Sequence, residues 1–478
     1  MKRNNATHFV RGASAGIMLV GGILGGCATV PRQAGFKSVS VIARKRLKTE
    51  VIWAQNRRQQ MKLHAIVARL LAHPLTPADA VEVALLNNPL LQGRYEQLGI
   101  SEAQVIRAGV ISNPVLSFDF RFPAAPNYGW DASVAQDFAD ILLLPARKEE
   151  SEAQFAATKS LVSQSVIQLA TRTRQAYYRV VGDSQLIELE TSVKAGEAAA
   201  LDLAKKLRQA GNIPSLTYDR QLAMYEHIRL QLAMDKANYL EDRERMFRLM
   251  GLWGVQAQVR LPNRLPIPVR SVPFNGLTSM ALRRSLLLTA ARHELQAAGV
   301  DVRVAGWAGI LPGATIGMNY VRDPDVRGTL GPAISVPVPI FSQGQPSQAM
   351  ARARYLAAWR HYEALAIDIR SRVRARWVAV RADRRRVEFY QRVMLPLRRR
   401  MLAETQRSYN GMFDSGFLLM QAKIDEINTA RSYVKALESY WMNRAKLADE
   451  VGGRLPARMS KTPSAPRLKT RSTQGVKP

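Results

Sequence analysis

Residue types that bind metals or act as nucleophiles are sparse in this chain of 478 residues. It has one cysteine and six histidines, and no histidine pair has a metal-binding spacing such as His-Glu-x-x-His. The Gly-x-x-x-x-Gly-Lys-Ser/Thr loop that holds nucleotide phosphates is missing, and no nucleophile is accompanied by a base and an orienting group. The histidines are His8, His64, His73, His227, His293 and His361. We therefore expect no enzymatic activity, no cofactor and no metal site.

Three methionines, Met401, Met412 and Met420, offer thioethers, which suit soft copper ions. Methionine also fills irregular gaps in apolar cores, and packing is the preferred interpretation at these positions. Copper binding is therefore a secondary hypothesis.

The single cysteine, Cys27, ends a segment that is ordered like a secretory signal. A basic start is followed by an apolar, glycine-rich stretch at 15–24 that is too short to span a bilayer. Leu24-Gly25-Gly26-Cys27 resembles the cleavage site of bacterial lipoproteins. The resemblance implies that residues 1–26 are removed, that Cys27 carries palmitate, and that Ala28 directs the chain to the outer membrane of a Gram-negative bacterium. The alternative is an ordinary secretory signal with a chance cysteine.

The composition is strongly basic, with 69 Lys and Arg against 38 Asp and Glu and a formal net charge of +31. Nucleic acid is disfavoured as a partner, because the basic residues are spread along helical patterns without interleaved aromatic residues. Sixteen arginines and five acidic residues fall in 346–410. They either cover a solvated helix surface or line a passage whose positive field favours anions.

The most informative pattern is an internal duplication with a period of about 200 residues. Leu75-Thr76 and Leu277-Thr278 each begin a helical pattern, with Thr76 suited to cap its helix and Pro77 to the first helical position. Each copy continues with two short alternating segments, a very long helical pattern, a glycine break and a shorter helical pattern. Such a duplication predicts an architecture rather than a catalytic centre.

The alternating segments predict four strands, at about 114–122, 130–137, 313–321 and 329–337. The first has one apolar and one largely polar face, as in a membrane barrel that contacts lipid outside and water inside. Its lipid-facing residues would be Leu116, Phe118, Phe120 and Phe122. Four strands cannot close a barrel, and open edges are not tolerated in lipid, so the chain must form oligomers; three copies would supply twelve strands.

Two stretches of 65 residues, 146–210 and 346–410, have helical patterns and end at Gly211 and Gly411. Each helix would be about 98 Å long, which is typical of a coiled coil or a tunnel wall. Pro396 predicts a kink in the second helix.

Taken in order, these segments resemble the TolC family of outer-membrane efflux proteins over residues 76–452. No single segment is specific, but their order behind the lipoprotein signal is. The segments are Leu75-Thr76-Pro77-Ala78-Asp79-Ala80-Val81, Asn87-Asn88-Pro89, Ala108-Gly109, Asn113-Pro114, Ala210-Gly211-Asn212-Ile213, Val336-Pro337-Val338-Pro339-Ile340-Phe341 with Gly344, and Leu418 to Lys423.

The resemblance implies a fold that is mainly α with a small β part. Long antiparallel helices would form a periplasmic α-barrel, and four strands per chain would contribute to a trimeric, 12-stranded transmembrane β-barrel. The implied function is the outer-membrane channel of a tripartite efflux system. It would be a passive exit duct for a homotrimer in outer-membrane lipid, joined by a periplasmic adaptor (membrane fusion protein) to an inner-membrane RND or ABC transporter. The alternatives are the outer-membrane component of type I protein secretion and a periplasmic coiled-coil scaffold without a channel.

In the family, the breaks after the long helices are periplasmic tips where adaptor hairpins dock and the tunnel narrows. By this resemblance the docking residues are Gly211, Asn212, Ile213, Gly411, Met412 and Phe413. The acidic residues that often line the constriction are replaced here by Thr217, Leu418 and Gln421. Tyr409 matches a family tyrosine that helps to hold the tip closed, and Asp219, Asp414 and Asp425 are nearby acids that could serve instead.

These features predict the organisation of the chain. A signal peptide (1–26) is followed by a lipidated lead-in (27–75) that has an extended start and a basic helix from Leu47 to Ala72. The later parts are a first repeat (76–262, tip near 211), a Pro-rich linker (263–276), a second repeat (277–452, tip near 411) and a disordered basic tail (453–478).

Overall fold

A computed structural model describes residues 31–121, 129–254, 259–268, 272–310, 313–323, 327–341 and 343–455. The signal peptide, Cys27, Phe122 and residues 456–478 lie outside these ranges, so the expectations for them stay predictions. Within the described part, no helix has the length and apolar content that crossing a bilayer requires.

The two halves of the chain repeat the same order of elements. The first half contains α1 (Phe36–Leu47), α2 (Arg57–Leu71), α3 (Pro77–Asn87), α4 (Pro89–Ala108), β1 (Val115–Arg121), β2 (Gly129–Asp137), α5 (Phe138–Gln209) and α6 (Ser215–Met250). The second contains α7 (Leu277–Arg284), α8 (Leu286–Ile310), β3 (Thr315–Arg322), β4 (Thr329–Ser335), α9 (Gln345–Phe389), a π-helical segment (Tyr390–Met394), α10 (Leu395–Asn410) and α11 (Gly416–Glu450). The predicted fold class, long helices with a few strands, is confirmed.

The N-terminal lead-in differs from the prediction of an extended start and one helix from Leu47 to Ala72. Two helices, α1 and α2, are separated by a non-helical stretch at 48–56. Lys48 has a φ of 60° and ends α1, whereas Asn56 caps α2 by accepting a hydrogen bond from the Gln59 N–H. The pattern in α1 is short, because only a few apolar residues one turn apart, such as Val39 and Ala43, are buried in an otherwise basic sequence.

The chain divides into two compact units, and each draws segments from both repeats. The first unit contains Met1–Val181, Ala237–Asn263 and Arg284–Ser371. Its core joins α1, α3, α4 and the first part of α5, with Val39, Leu85, Tyr95 and Val166 among the buried residues.

The helix start at Thr76 follows the prediction. Thr76 Oγ1 accepts the Asp79 N–H, and an Asp79 carboxylate oxygen accepts the Thr76 N–H, which forms a reciprocal capping box. The predicted interruption at Asn87-Asn88-Pro89 separates α3 from α4.

This interruption also fixes the end of α6. Asn87 Nδ2 donates to the carbonyls of Met250 (3.1 Å) and Gly251 (2.8 Å), and Asn88 Nδ2 donates to that of Leu249 (2.9 Å). Gly251 has a φ of +66°, and a Cβ at this position would lie 2.3 Å from the Asn87 carbonyl oxygen. Only glycine fits this backbone, because it needs both a left-handed conformation and a close approach.

The four strands form one antiparallel sheet in the order β1-β2-β3-β4, so pairing of β2 with β3 joins the two repeats. The strands lie within two residues of their predicted bounds. Because Leu116, Phe118 and Phe120 lie opposite Val134, Ala132 and Trp130, their side chains share one face of the sheet.

This face is apolar across most of the sheet and is exposed in the single chain. Val134 pairs with Met318 and Ala132 with Tyr320, which extends the face across β3. The opposite face carries polar groups, and there Arg121 bridges Asp131 (2.9 Å) and Asp323 (3.0 Å). The alternation of apolar and polar faces follows the prediction.

The first long helix starts at Phe138, eight residues before the predicted start at 146, and contains Pro145. The prediction failed because Pro145 resembles a helix start. The actual start is set by Asp137, whose Oδ1 accepts the Asp140 N–H at 3.1 Å. Arg147 then donates to the Asp140 carbonyl (2.9 Å), which helps to satisfy the backbone near the proline.

The second long helix is interrupted by the π-helical segment immediately before Pro396. Thr173 and Val180 match Val373 and Val380 in burial at a separation of 200 residues, whereas the tips further on are 201 apart. A π-helical turn accommodates one extra residue, so the segment accounts for the change in offset.

Two glycines test how much of this fold depends on steric crowding. Gly251 and Gly211 both have positive φ, but a Cβ at Gly211 meets no described atom within 4 Å. We expect Gly251→Ala to lower the free energy of unfolding by about 2–4 kcal/mol, because strain and a backbone clash combine, and Gly211→Ala by about 1 kcal/mol. Thermal unfolding of the detergent-solubilised variants measures both. Equal losses would contradict the role of Asn87.

Candidate functional site: the helix tips

The first tip joins α5 to α6 and lies in the second compact unit, which contains Gly182–Lys236, Arg264–Arg283 and Arg372–Pro478. The N–H of Asn212 donates to Leu207 O (2.8 Å) and that of Gly211 to Arg208 O (3.0 Å), the bond pair of a Schellman motif. Gly211 occupies the left-handed position with a φ of 73°. Gly211 and Asn212 are exposed, and Ile213 is half-buried.

The second tip, between α10 and α11, has the same bond pair, from Phe413 N–H to Ser408 O (2.9 Å) and from Met412 N–H to Tyr409 O (3.0 Å). Here the left-handed residue is Met412, with a φ of 63°, and not Gly411. The structural equivalent of Gly211 is therefore Met412. Gly411 is constrained differently, because a Cβ there would lie 2.9 Å from the Phe413 ring.

The side chains of Met412 and Phe413 project into solvent, with 94% and 88% of their surface exposed. A non-glycine residue in the left-handed region costs about 1–2 kcal/mol. The second tip thus holds two large apolar side chains outside any core, at a cost in backbone strain.

The candidate gate residues divide between the two tips. Thr217 and Asp219 follow the first tip, and neither side chain makes a hydrogen bond or ion pair with another described residue. Tyr409, Asp414, Leu418 and Gln421 surround the second tip. A Cβ at Gly416 would lie 3.6 Å from the Tyr409 ring and 3.1 Å from Leu203, so α5 reaches the second tip beside Tyr409.

Gln421 belongs to a polar cluster between α10 and α11. Its Nε2 donates to Asp425 Oδ1 (3.0 Å), and Arg398 donates to Asp425 Oδ2 (3.2 Å). Asp425, noted in the sequence as a nearby acid, is therefore partly neutralised by Arg398. Among the described residues, no group of three or more His, Cys, Asp or Glu is placed to hold a metal ion.

Sequence reasoning missed two buried carboxylates on α5 above the tips, Glu190 and Glu197. Gln221 of α6 donates to Glu197 at 2.6 Å. Arg431 Nε of α11 lies 2.9 Å from Glu190 Oε2, but neither oxygen of Glu190 accepts a well-directed hydrogen bond. The missed signal is their spacing, since both acids fall in register with the buried Val193.

Burial raises the pKa of both glutamates. For Glu190, Arg431 acts against this effect, Asp235 adds to it, and Lys435 and His227 oppose it. For Glu197 the hydrogen bond from Gln221 is the opposing influence. Glu190 is thus a charged group held between α5, α6 and α11 at an energetic cost.

The pair Glu190–Arg431 should respond to pH. Because the folded-state pKa of Glu190 is raised, the folded chain binds its proton more tightly, so stability should rise as pH falls from 7.5 towards its ordinary value. We expect Glu190→Gln to change the free energy of unfolding by less than about 1 kcal/mol at pH 7.5, and Arg431→Gln to lower it by about 3 kcal/mol by leaving the carboxylate unpaired. Chemical unfolding at pH 7.5 and 5.5 measures this.

The loss in Arg431→Gln should shrink at pH 5.5, and the double variant should behave like Glu190→Gln. A loss in Arg431→Gln that is independent of pH and of Glu190 would show that the pair is not the cause.

No family model and no curated protein matches the sequence. Solved structures do match. The outer-membrane channel OprN is 17% identical, with 90% of this chain and 99% of that chain covered and a TM-score of 0.65. The Campylobacter jejuni CmeC outer membrane channel is 14% identical, with 86% and 90% covered and a TM-score of 0.61.

The outer membrane protein VceC from Vibrio cholerae is 17% identical, with 83% of this chain and 98% of that chain covered and a TM-score of 0.59. The likeness extends over most of both chains in each case. The resemblance to TolC-like channels is therefore confirmed at the level of the fold, and this chain has the fold of these outer-membrane channels.

Proposed function

We propose that the chain is the outer-membrane channel of a tripartite efflux system, a passive exit duct without enzymatic activity. The observation that carries the proposal is the four-stranded sheet, whose exposed face is apolar across the strands and whose other face is polar. Such alternation suits strands with lipid on one side and a water-filled lumen on the other. The fold shared with OprN, CmeC and VceC supports the same conclusion.

The edges of the sheet support a homotrimer. β1 and β4 each have one strand neighbour within the described sheet, so each leaves one edge open. Open edges in hydrocarbon leave backbone groups without partners, and closure with other copies removes them. Three copies give twelve strands, enough for a closed barrel in outer-membrane lipid.

The tips are the proposed docking surface for a periplasmic adaptor, and Tyr409, Thr217, Asp219, Asp414, Leu418 and Gln421 are the proposed gate. An inner-membrane transporter of the RND or ABC class would supply the energy. Lipidation of Cys27 is part of the proposal, and mass spectrometry of the mature N-terminus tests it. Type I secretion would use the same duct, and the genes beside this one discriminate between the two systems.

The sheet face provides a matched pair of substitutions. Phe118 and Ser117 are neighbours in β1 and point to opposite faces. We expect Phe118→Asp to destabilise insertion by about 2 kcal/mol or more, since a charge would face lipid, and Ser117→Asp to be tolerated in a polar lumen. Outer-membrane fractionation and the yield of heat-stable trimers measure the effect.

A periplasmic scaffold without a channel would give the opposite result. In that case the unmodified chain would fractionate as a soluble protein, and neither substitution would change a membrane-bound trimer.

The second tip tests adaptor docking. We expect the double substitution of Met412 and Phe413 by glutamate to weaken binding of the adaptor encoded beside this gene by at least about tenfold, because exposed apolar side chains commonly anchor interfaces. Surface plasmon resonance with detergent-solubilised trimer measures binding. Trp253→Glu, which changes an exposed aromatic residue in the other unit, is the control. Unchanged binding by the tip variant with trimers intact would move docking elsewhere.

A further inference from the structure

The helical hairpins of the second unit differ sharply in charge. Residues 182–236 contain eight acidic and seven basic residues, whereas 372–455 contain nine acidic and eighteen basic residues. In α9 to α10, residues 372–410 carry twelve arginines, no lysine and three acids. Exclusive use of arginine matters, because its planar fork binds carboxylates in pairs of hydrogen bonds that lysine cannot form.

Four of these arginines form a row, here called the basic stripe, that consists of Arg374, Arg381, Arg385 and Arg392. Their spacings of seven, four and seven residues are close to whole helical turns, so they share one face over about 27 Å. All four are exposed. Arg381 lies over the Trp377 ring at 5.3 Å, and the other three have no hydrogen bond or ion pair within the described ranges.

The row also carries apolar groups. Val378 and Phe389 lie among the four arginines along the helix and are about half-exposed. The combination of guanidinium groups with apolar side chains is typical of a face that another helix covers.

The duplication shows how the corresponding face of the first copy is covered. Gln185, 200 residues before Arg385, is buried and accepts the backbone N–H of Leu265 at 3.2 Å. Close by, Arg264 pairs with Glu188 at 2.9 Å. The segment that follows α6 therefore covers α5 at this level.

The matching segment of the second copy follows α11 and cannot neutralise the basic stripe. Residues 453–478 contain seven Lys and Arg and no acid. A second copy of the chain does not supply the charge either. Over 182–236, 264–283 and 372–455 the unit has 28 basic and 17 acidic residues, and several of those acids, such as Glu388 and Glu426, already pair with arginine or lysine.

We propose that the basic stripe is the docking surface for an acidic helix of a partner protein, with carboxylates repeated at about seven-residue spacing. The proposal deepens the proposed function and rests on it, because it gives the chemistry of the adaptor helix that lies along α9. Opposite charges in a row set the register of such a pair and speed association.

The test uses the full chain in detergent and a designed helical hairpin that carries a row of glutamates at the spacing of the stripe. A matched hairpin has glutamine at the same positions. We expect the glutamate hairpin to bind at least about tenfold more tightly than the glutamine hairpin at moderate salt. Replacing the four stripe arginines by glutamine should abolish the difference.

Two control variants accompany the stripe variant. The first replaces four basic residues of the other hairpin, Lys205, Lys206, Arg220 and Arg229, by glutamine, which removes the same charge and should change the affinity by less than about threefold. The second replaces the stripe arginines by lysine, which keeps the charge but removes the fork, and should weaken binding by an intermediate amount.

Three results would overturn the proposal. The stripe variant could bind as tightly as the unchanged chain. It could lose the trimer, which would make the stripe an interface between copies. It could keep its affinity for the hairpin but lose an anion preference of the reconstituted channel, which would place the arginines along the passage. Failure of the duct itself is a separate result, namely no membrane-bound trimer and no conductance from the unchanged chain.

Discussion

Pairing of β2 with β3 is the interaction on which the rest of the molecule depends. These strands belong to different repeats, and their backbone hydrogen bonds merge two hairpins into one four-stranded sheet. A two-stranded hairpin alone is marginally stable, and its apolar residues would have no continuous surface to share. Once merged, the strands present one apolar face, and each long helix starts from a strand whose position is fixed. Phe138 N–H, for example, donates to Ala314 O at 2.8 Å as α5 leaves β2.

Local chemistry decided which parts of the fold could be predicted from the sequence. Period-two alternation in β1, the capping box at Thr76 and the interruption at Asn87-Asn88-Pro89 are signals that a few neighbouring residues carry completely. The start of α5 was missed because Pro145 is usually a helix-start signal, and its tolerance depends on Arg147. The π-helical segment has no local signature beyond the proline that follows it.

The candidate site was less predictable than the fold, for a physical reason. Gly411 attracted attention because glycine commonly ends helices, yet Met412 adopts the left-handed conformation, and Gly411 is needed for the ring of Phe413. The burial of Glu190 depends on α6 and α11, which approach α5 from distant parts of the chain. No sequence window around Glu190 contains those helices, so a charged residue there resembles an ordinary surface position.

The two copies have diverged most in the unit that contains the tips. The backbone bonds of the Schellman motif are kept at both tips, so the turn geometry has been retained. What differs is the chemistry that the turns and helices display: glycine and asparagine against methionine and phenylalanine, and a nearly balanced hairpin against one rich in arginine. A buried ion pair such as Glu190–Arg431 adds little net stability but penalises wrong packing of helices, because any other arrangement leaves a charge unpaired. The conserved backbone and the buried pair thus hold two similar hairpins in place, while their exposed residues are free to serve two different contacts.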